Sequence, residues 1–279
     1  YFVMSGISFV IPTFNNVDLT INCVKSIINL DELKKLNYEI VVVDDFSSDK
    51  LFLKLKNDLL NLNFKDIIIV KNDKNMGPAY SRNKGAKISK FDYIFFLDSD
   101  TEIQHGSLEN FLIKIETNDA VVGVYHYEPL NDGYFAHHKA LMNNFYAYKN
   151  HDYYFANFAA ACAGIKKKVF NSLKGFNEDI KWGMDYECEE LGHRLVSNNY
   201  KLIVSPKIII KHHFPKGLKA INLYFIRVSN WVNFYLSTKK TNFDKTTATT
   251  PKVALGCISG SLVLFFSLLY FFSDNSFNV

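Results

Sequence analysis

The chain has 279 residues and a formal net charge of +4, enough for one large α/β domain with an appendage and too short for two full enzymatic domains. Hydrophobic residues make up 48% and aromatics 15%, which excludes a disordered chain, and so mild a charge without a block of like sign gives no case for a nucleic-acid partner. Cys23, Cys162, Cys188 and Cys257 lie far apart with neither zinc-type nor disulfide-type spacing, and fit a reducing compartment. Tyr1 rather than Met stands first, as in a fragment or a chain whose translation begins at Met4. Ile7–Ile11 is too short for the apolar core of a signal peptide and runs into Pro12.

Short apolar runs alternate with helical spacing. Ile7–Ile11 reads as a strand stopped by Pro12, and Val17–Leu30 places Leu19, Cys23, Ile27 and Leu30 at helical intervals. A strand at Glu39–Val43 ends at Asp44-Asp45, followed by a helix over Lys50–Leu62 and a strand at Ile67–Val70. A helix over Pro78–Ile88, with proline in its first turn, precedes a strand at Tyr93–Leu97. This order predicts an α/β fold with a mostly parallel sheet covered on both faces. Ligands of such sheets collect at the carboxyl ends of the strands. Thr13-Phe14-Asn15, Asp44-Asp45 and Asp98-Ser99-Asp100 all fall there. Beyond residue 100 the expectations are a strand at Ala120–Tyr127, a helix over His137–Asn150 and a small apolar stretch at Phe155–Gly164. An acidic helix over Asp185–Asn198 and strands at Lys201–Val204 and Ile208–Lys211 complete the pattern. His137-His138 has no metal-type spacing and reads as surface.

Asp98 and Asp100 carry the most chemistry. Residues i and i+2 of an extended segment point the same way, so both carboxylates can face one hard cation. No GxGxxG follows the first strand and no Walker-type lysine loop is present, which disfavours a dinucleotide or P-loop site. A diphosphate bridged by a divalent ion fits, because the cation neutralises charge on a departing diphosphate.

Val253–Phe272 contains no charged residue and has the length, about twenty residues, of a bilayer-crossing helix. Lys239, Lys240, Lys245 and Lys252 precede it and no basic residue follows, which predicts a single pass with the large N-terminal part in the cytoplasm. Between them, Leu218–Ser237 reads as an amphipathic helix, lying at the lipid–water boundary or packed on the catalytic domain. The expected domains are 1–217, 218–252 and 253–272.

Taken together, the ordered motifs resemble a family 2 glycosyltransferase of the GT-A fold, from Ser8 to about Arg227. Phe9-Val10-Ile11-Pro12-Thr13-Phe14-Asn15 is similar to the family's first strand and loop. Val41-Val42-Val43-Asp44-Asp45-Phe46-Ser47-Ser48-Asp49 is similar to its second, with Phe46 where Gly is usual. Asn75-Met76-Gly77-Pro78-Ala79 and Arg82-Asn83-Lys84-Gly85 resemble the stretch before the metal motif, which is Asp98-Ser99-Asp100.

By that resemblance Pro12, Thr13, Asp45, Gly77, Arg82, Asp98 and Ser99 line the nucleotide-sugar pocket, with Asp45 accepting hydrogen bonds from the base. Asp98 touches the ribose or the metal, Asp100 the metal directly, and His212 is the family's late metal or diphosphate ligand, so Asp98, Asp100 and His212 hold Mg2+ or Mn2+. Gly175-Phe176-Asn177-Glu178 stands for the segment before the catalytic helix. Matching Glu190-Leu191 and Arg194-Leu195 to the family's pairs puts the base at Cys188, a thiol that is mostly protonated at neutral pH. Matching Asp-x-Glu locally puts it at Asp185, one helical turn earlier on the same face, with Met184 replacing an acid; Glu187 is the second choice.

The implied activity is inverting transfer from a nucleotide-diphospho-sugar to an acceptor hydroxyl or phosphate, with lipid-linked acceptors of cell-envelope assembly expected at the bilayer and Phe155–Gly164 bordering the acceptor side. Two other classes stay open. A sugar nucleotidyltransferase would need a Gly-rich basic loop where Pro12-Thr13-Phe14-Asn15 stands, and a catalytically silent, membrane-tethered nucleotide-sugar-binding module is motivated by Met184 and Cys188.

Overall fold

In the computed structural model, which describes residues 6–180 and 186–215 together with 226, 261–263, 265 and 266, the strands pair into one nine-stranded sheet. The first half alternates as β1 (Ile7–Thr13), α1 (Val17–Ile28), β2 (Tyr38–Asp44), α2 (Asp49–Leu60), β3 (Ile67–Lys71), α3 (Pro78–Ile88) and β4 (Tyr93–Leu97). The second runs β5 (Thr101–Ile103), α4 (Ser107–Thr117), β6 (Ala120–Tyr125), α5 (Tyr134–Ala147), β7 (Tyr153–Tyr154) and β8 (Cys162–Lys166). It ends with α6 (Lys167–Ser172), α7 (Glu187–Ser197) and β9 (Leu202–His212). The sheet order is β3-β2-β1-β4-β8-β6-β9-β5, with β7 added beside β9.

The expected parallel sheet holds for β3-β2-β1-β4. Beyond β4 it is mixed, because β8 enters antiparallel to both β4 and β6. β8 lies at the end of the stretch read only as small and apolar. Its smallness has a purpose: a Cβ on Gly164 would stand 2.1 Å from the Phe111 ring, so the α4 aromatic needs glycine beneath it. β1 passes through Pro12 to Thr13 rather than stopping. It pairs with β4 only from Ile7 to Val10, so Pro12 lies where one flank of the strand has no partner, a position proline tolerates.

The two strands expected at Lys201–Val204 and Ile208–Lys211 are one. Val122 pairs with Val204 and Val124 with Ile209, so β9 bulges around Ser205-Pro206-Lys207 and resumes. The helix expected over His137–Asn150 is α5, shifted toward its N-terminus, and the acidic helix begins at Glu187 behind Tyr186.

β1 is buried throughout, as a strand covered on both faces must be. One face carries Phe9, Phe95 and Phe111 under α1 and α4. The other carries Phe96 with Phe158, Phe170 and Phe176 at 5.9, 5.3 and 5.4 Å between ring centroids. Truncating a buried phenylalanine of this kind costs about 3–5 kcal/mol.

The chain divides into two units, Tyr1–Lys239 and Lys240–Val279. Of the segments expected at the membrane, Leu218–Ser237 lies outside the described residues except Ile226, and Val253–Phe272 except 261–263, 265 and 266, which are helical. Among the described residues no helix is long and apolar enough to cross a membrane.

Candidate metal and donor site

Three loops at the carboxyl ends of β1, β2 and β3 are tied together by one residue. Asp45 Oδ1 accepts from Asn72 Nδ2 at 2.8 Å and Met76 N at 2.9 Å, and Oδ2 accepts from Gly77 N at 2.7 Å. Its own N–H donates to the Thr13 carbonyl at 2.8 Å. The buried Asp45 side chain therefore fixes the N-terminus of α3, where a negative charge is favoured. Gly77, with φ of +88°, makes the turn into Pro78 that an L side chain would resist. These hydrogen bonds give Asp45 a framework role beside the base contact the resemblance implies. Thr13 is also engaged inward, its hydroxyl 2.7 Å from that of Thr20 on α1, and Pro12 is buried beside it.

Phe46 follows at the tip of the β2 loop with φ of +71° and its ring about half exposed. A bulky residue in the left-handed region carries strain of order 1–3 kcal/mol, and glycine there would lose about 0.5–1 kcal/mol of that advantage to its own chain entropy. Phe46→Gly is therefore expected to stabilise the protein by about 1 kcal/mol in urea unfolding. A loss of stability instead would mean that the contact of the ring with Lys71 Nζ, 5.6 Å from its centroid, outweighs the backbone effect.

Arg82 projects from α3 to the centre of the site. Nη2 meets Asp98 Oδ1 at 2.7 Å and Nη1 meets Glu187 Oε1 at 3.1 Å, with the guanidinium 5.5 Å over the Phe176 ring. Its Nε is buried with no hydrogen-bond partner among the described residues. Burial opposes the Arg82 charge, but Asp98 and Glu187 outweigh it and raise the guanidinium's pKa further.

Asp98, Ser99 and Asp100 do not continue the strand as expected. They form a tight turn into β5, closed by Thr101 N and Thr101 Oγ1 donating to the Asp98 carbonyl at 3.1 and 2.8 Å, and Ser99 is buried inside it. The two carboxylates converge nonetheless, because β5 pairs with the end of β9 and sets Thr101 opposite His212. His212 Nε2 lies 3.4 Å from Asp100 Oδ1, and one ligand atom each from Asp98, Asp100 and His212 fall within 4.8 Å of one another. Phe214 stacks on the imidazole at 4.4 Å and Tyr125 abuts it edge-on at 5.6 Å. Burial pushes the Asp100 carboxyl above the usual carboxylate range and the Asp98 charge adds to this, while His212 opposes it.

The predicted base region is only partly described. Asp185 lies outside the described residues, and the described helix begins at Glu187 behind Tyr186. Cys188 itself is partly buried, and desolvation followed by the Glu187 charge drives its thiol pKa well up, with Arg82 acting against them. That direction keeps the thiol protonated at neutral pH, where it makes a poor base.

Glu187 is held by Arg82. Sequence reasoning missed the clamp on the segment leading to residue 181. Asn83 Oδ1 accepts from Phe176 N at 2.8 Å and its Nδ2 donates to the Phe176 carbonyl and Glu178, while Arg194 donates to the Gly175 and Leu173 carbonyls and is gripped by Glu190. The only trace in the sequence is that Asn83 adjoins Arg82.

Comparison with known proteins gives a consistent picture. The sequence model described as Glycosyl transferase family 2 matches residues 8–174. The poly(ribitol-phosphate) beta-N-acetylglucosaminyltransferase TarP of Staphylococcus aureus is 34% identical over 128 residues, 44% of this chain and 37% of that protein. A poly(ribitol-phosphate) beta-glucosyltransferase of Bacillus spizizenii is 38% identical over 101 residues, 35% of this chain and 15% of that one. The chain thus spans well under two thirds of these relatives. The mannosyltransferase PcManGT of Pyrobaculum calidifontis, solved with GDP-Man and Mn2+, aligns with a TM-score of 0.61 at 15% identity, over 94% of this chain and 81% of that one. At that identity the likeness shows a shared fold.

Proposed function

The chain belongs to glycosyl transferase family 2, and from that premise we propose that it transfers a sugar, with inversion, from a nucleotide-diphospho-sugar to an acceptor in cell-envelope glycan synthesis. The observation that carries this reading is the convergence of Asp98, Asp100 and His212 within 4.8 Å at the strand tips. Two carboxylates and an imidazole suit Mg2+ or Mn2+. The site also fits a cation electrostatically: Asp100 is desolvated beside a second acid, and His212 Nδ1 is buried without a partner among the described residues. When bound, the metal supplies charge neutralisation for the departing diphosphate.

The chain's own residues divide the remaining work. Arg82 holds Asp98 in place and balances its charge. Glu187, engaged by Arg82, acts in this reading as a positioning residue, and Asp185 takes the proton from the acceptor hydroxyl. Pro12, Thr13, Asp45, Gly77 and Ser99 shape the donor pocket. The two curated relatives name one acceptor polymer and two different sugars, which supports an anionic envelope acceptor more than any one donor. A lipid-linked acceptor and a single pass at 253–272, with the catalytic domain on the cytoplasmic side, belong to the same proposal and rest on the uncharged segment.

Membranes containing the protein, supplied with radiolabelled nucleotide sugars, should transfer label to lipid extract or anionic polymer in a Mn2+-dependent way. No transfer with any donor would sink the proposal. The competing reading, a silent binding module, is favoured by the protonated Cys188. It expects Asp185→Asn to behave as the natural chain does, whereas the proposal expects transfer to be lost and donor binding kept.

A further inference from the structure

The surface helix α5 is built inside out. Ala136 and Ala140 face the protein and are fully buried. The outward ridge, at spacings of four, three and four, is Tyr134, His138, Leu141 and Phe145, with Tyr134 79% and Phe145 76% exposed. Exposed Phe135 and Tyr146 flank it, and exposed Tyr148 follows the helix. A helix that only covers a core shows the opposite pattern, and an apolar ridge this continuous marks a contact surface.

From the geometry we infer that α5 docks on a lipid bilayer bearing anionic headgroups. The charge on this stretch selects that occupant. From Tyr134 to His151 the chain carries Lys139, Lys149 and three histidines, and no carboxylate. Lysines around apolar side chains, with tyrosines at the margin, suit the headgroup layer, where each basic residue gains about fivefold in affinity. A second copy is disfavoured, because a two-fold pairing would bring the lysines beside one ridge toward those beside the other with no carboxylate of this stretch between them.

The inner contacts give docking a consequence for the site. Ala136 and Ala140 pack with Phe214 and Tyr125, and these two rings flank His212. A bilayer seated on α5 would therefore lie about one helix diameter, roughly 10 Å, from the layer that holds the metal cluster. This consequence rests on the proposed transfer reaction; the docking itself does not.

The test is hydroxyl-radical footprinting of the full chain with vesicles of phosphatidylcholine alone or mixed with phosphatidylglycerol. Oxidation of Tyr134, Phe145 and Tyr146 should fall several-fold with the anionic vesicles and recover at high salt. Leu141→Glu/Phe145→Glu, which alters exposed positions, should abolish the protection of Tyr134 and Tyr146 while leaving Mn2+-dependent binding of nucleoside diphosphates intact. Equal oxidation with and without anionic lipid would overturn the inference. So would protection that grows with protein concentration in detergent, or that a soluble anionic polymer reproduces. Protection of α5 in a chain that binds no nucleoside diphosphate would count against glycosyl transfer and leave the docking standing.

Discussion

Asp100→Asn is expected to melt at a higher temperature than the natural chain when no divalent cation is present, and to lose the stabilisation that Mn2+ brings. The first half follows from the direction of the Asp100 shift. Burial, with Asp98 nearby, raises its pKa in the folded protein above that of the unfolded chain, although His212 opposes the change. A carboxyl shifted upward favours folding below its unfolded pKa, and this advantage is lost as pH rises through the folded pKa. At neutral pH the ionised group is therefore carried at a cost, which the neutral, near-isosteric asparagine removes. The second half follows from mass action: a ligand of the folded state alone, at a hundred times its Kd, adds about 2.7 kcal/mol. In a domain of this size that is a rise of roughly 5–10 °C. Melting both proteins with and without Mn2+ gives all four values. A variant that responds to Mn2+ as fully as the natural chain would remove Asp100 from the metal site, and a metal-free variant that melts lower would contradict the electrostatic argument.

The same residue shows how far the sequence could be read. Asp98 and Asp100 were legible as a pair at the end of an apolar run, but the reason they converge was not. An extended segment was expected, whereas the pair sits in a turn whose direction is set by β5 pairing with β9, more than a hundred residues later in the chain. The helix Pro78–Ile88 matched residue for residue, because proline at the first position and the following Ser89 mark its limits locally. β1 to β4 were legible for a related reason: strands buried on both faces are written as unbroken apolar runs.

β8 has no such run. Gly164 is small because Phe111 of α4 occupies the space above it, and nothing near residue 164 announces Phe111. The site divides similarly. His212 was found through the family resemblance, whereas the Arg82–Glu187 pair spans 105 residues and neither partner's sequence neighbourhood names the other. Asp45 was legible as a strand-end acid; its task of holding Asn72, Met76 and Gly77 depends on where a third strand ends.

Arg82→Met should cost about 3–5 kcal/mol of stability, the scale for removing one member of a buried ion-pair network. Arg82 joins α3, the tip of β4 and the first turn of α7, and its side chain is only 6% exposed. Methionine fills much of the volume against Phe176 but leaves Asp98 and the nearly buried Glu187 without their cation, and both then carry a desolvation cost that nothing offsets. The loss would be a large fraction of the 5–15 kcal/mol that typically holds a domain together.

Two companions separate charge from shape. Arg82→Lys keeps the charge but cannot fork to two carboxylates, so it should fall between the natural chain and the methionine variant. Arg82→Met/Glu187→Gln removes one stranded charge and should recover part of the loss, a non-additivity expected of groups in direct contact. Urea unfolding of the natural chain, Arg82→Met, Glu187→Gln and the double variant measures the cycle, with Arg82→Lys run beside them. A methionine variant that loses less than about 1 kcal/mol would place Arg82 among ordinary surface pairs. If the full loss is seen, the residue that aims Asp98 at the metal also anchors α7, so the site cannot loosen there without weakening the fold.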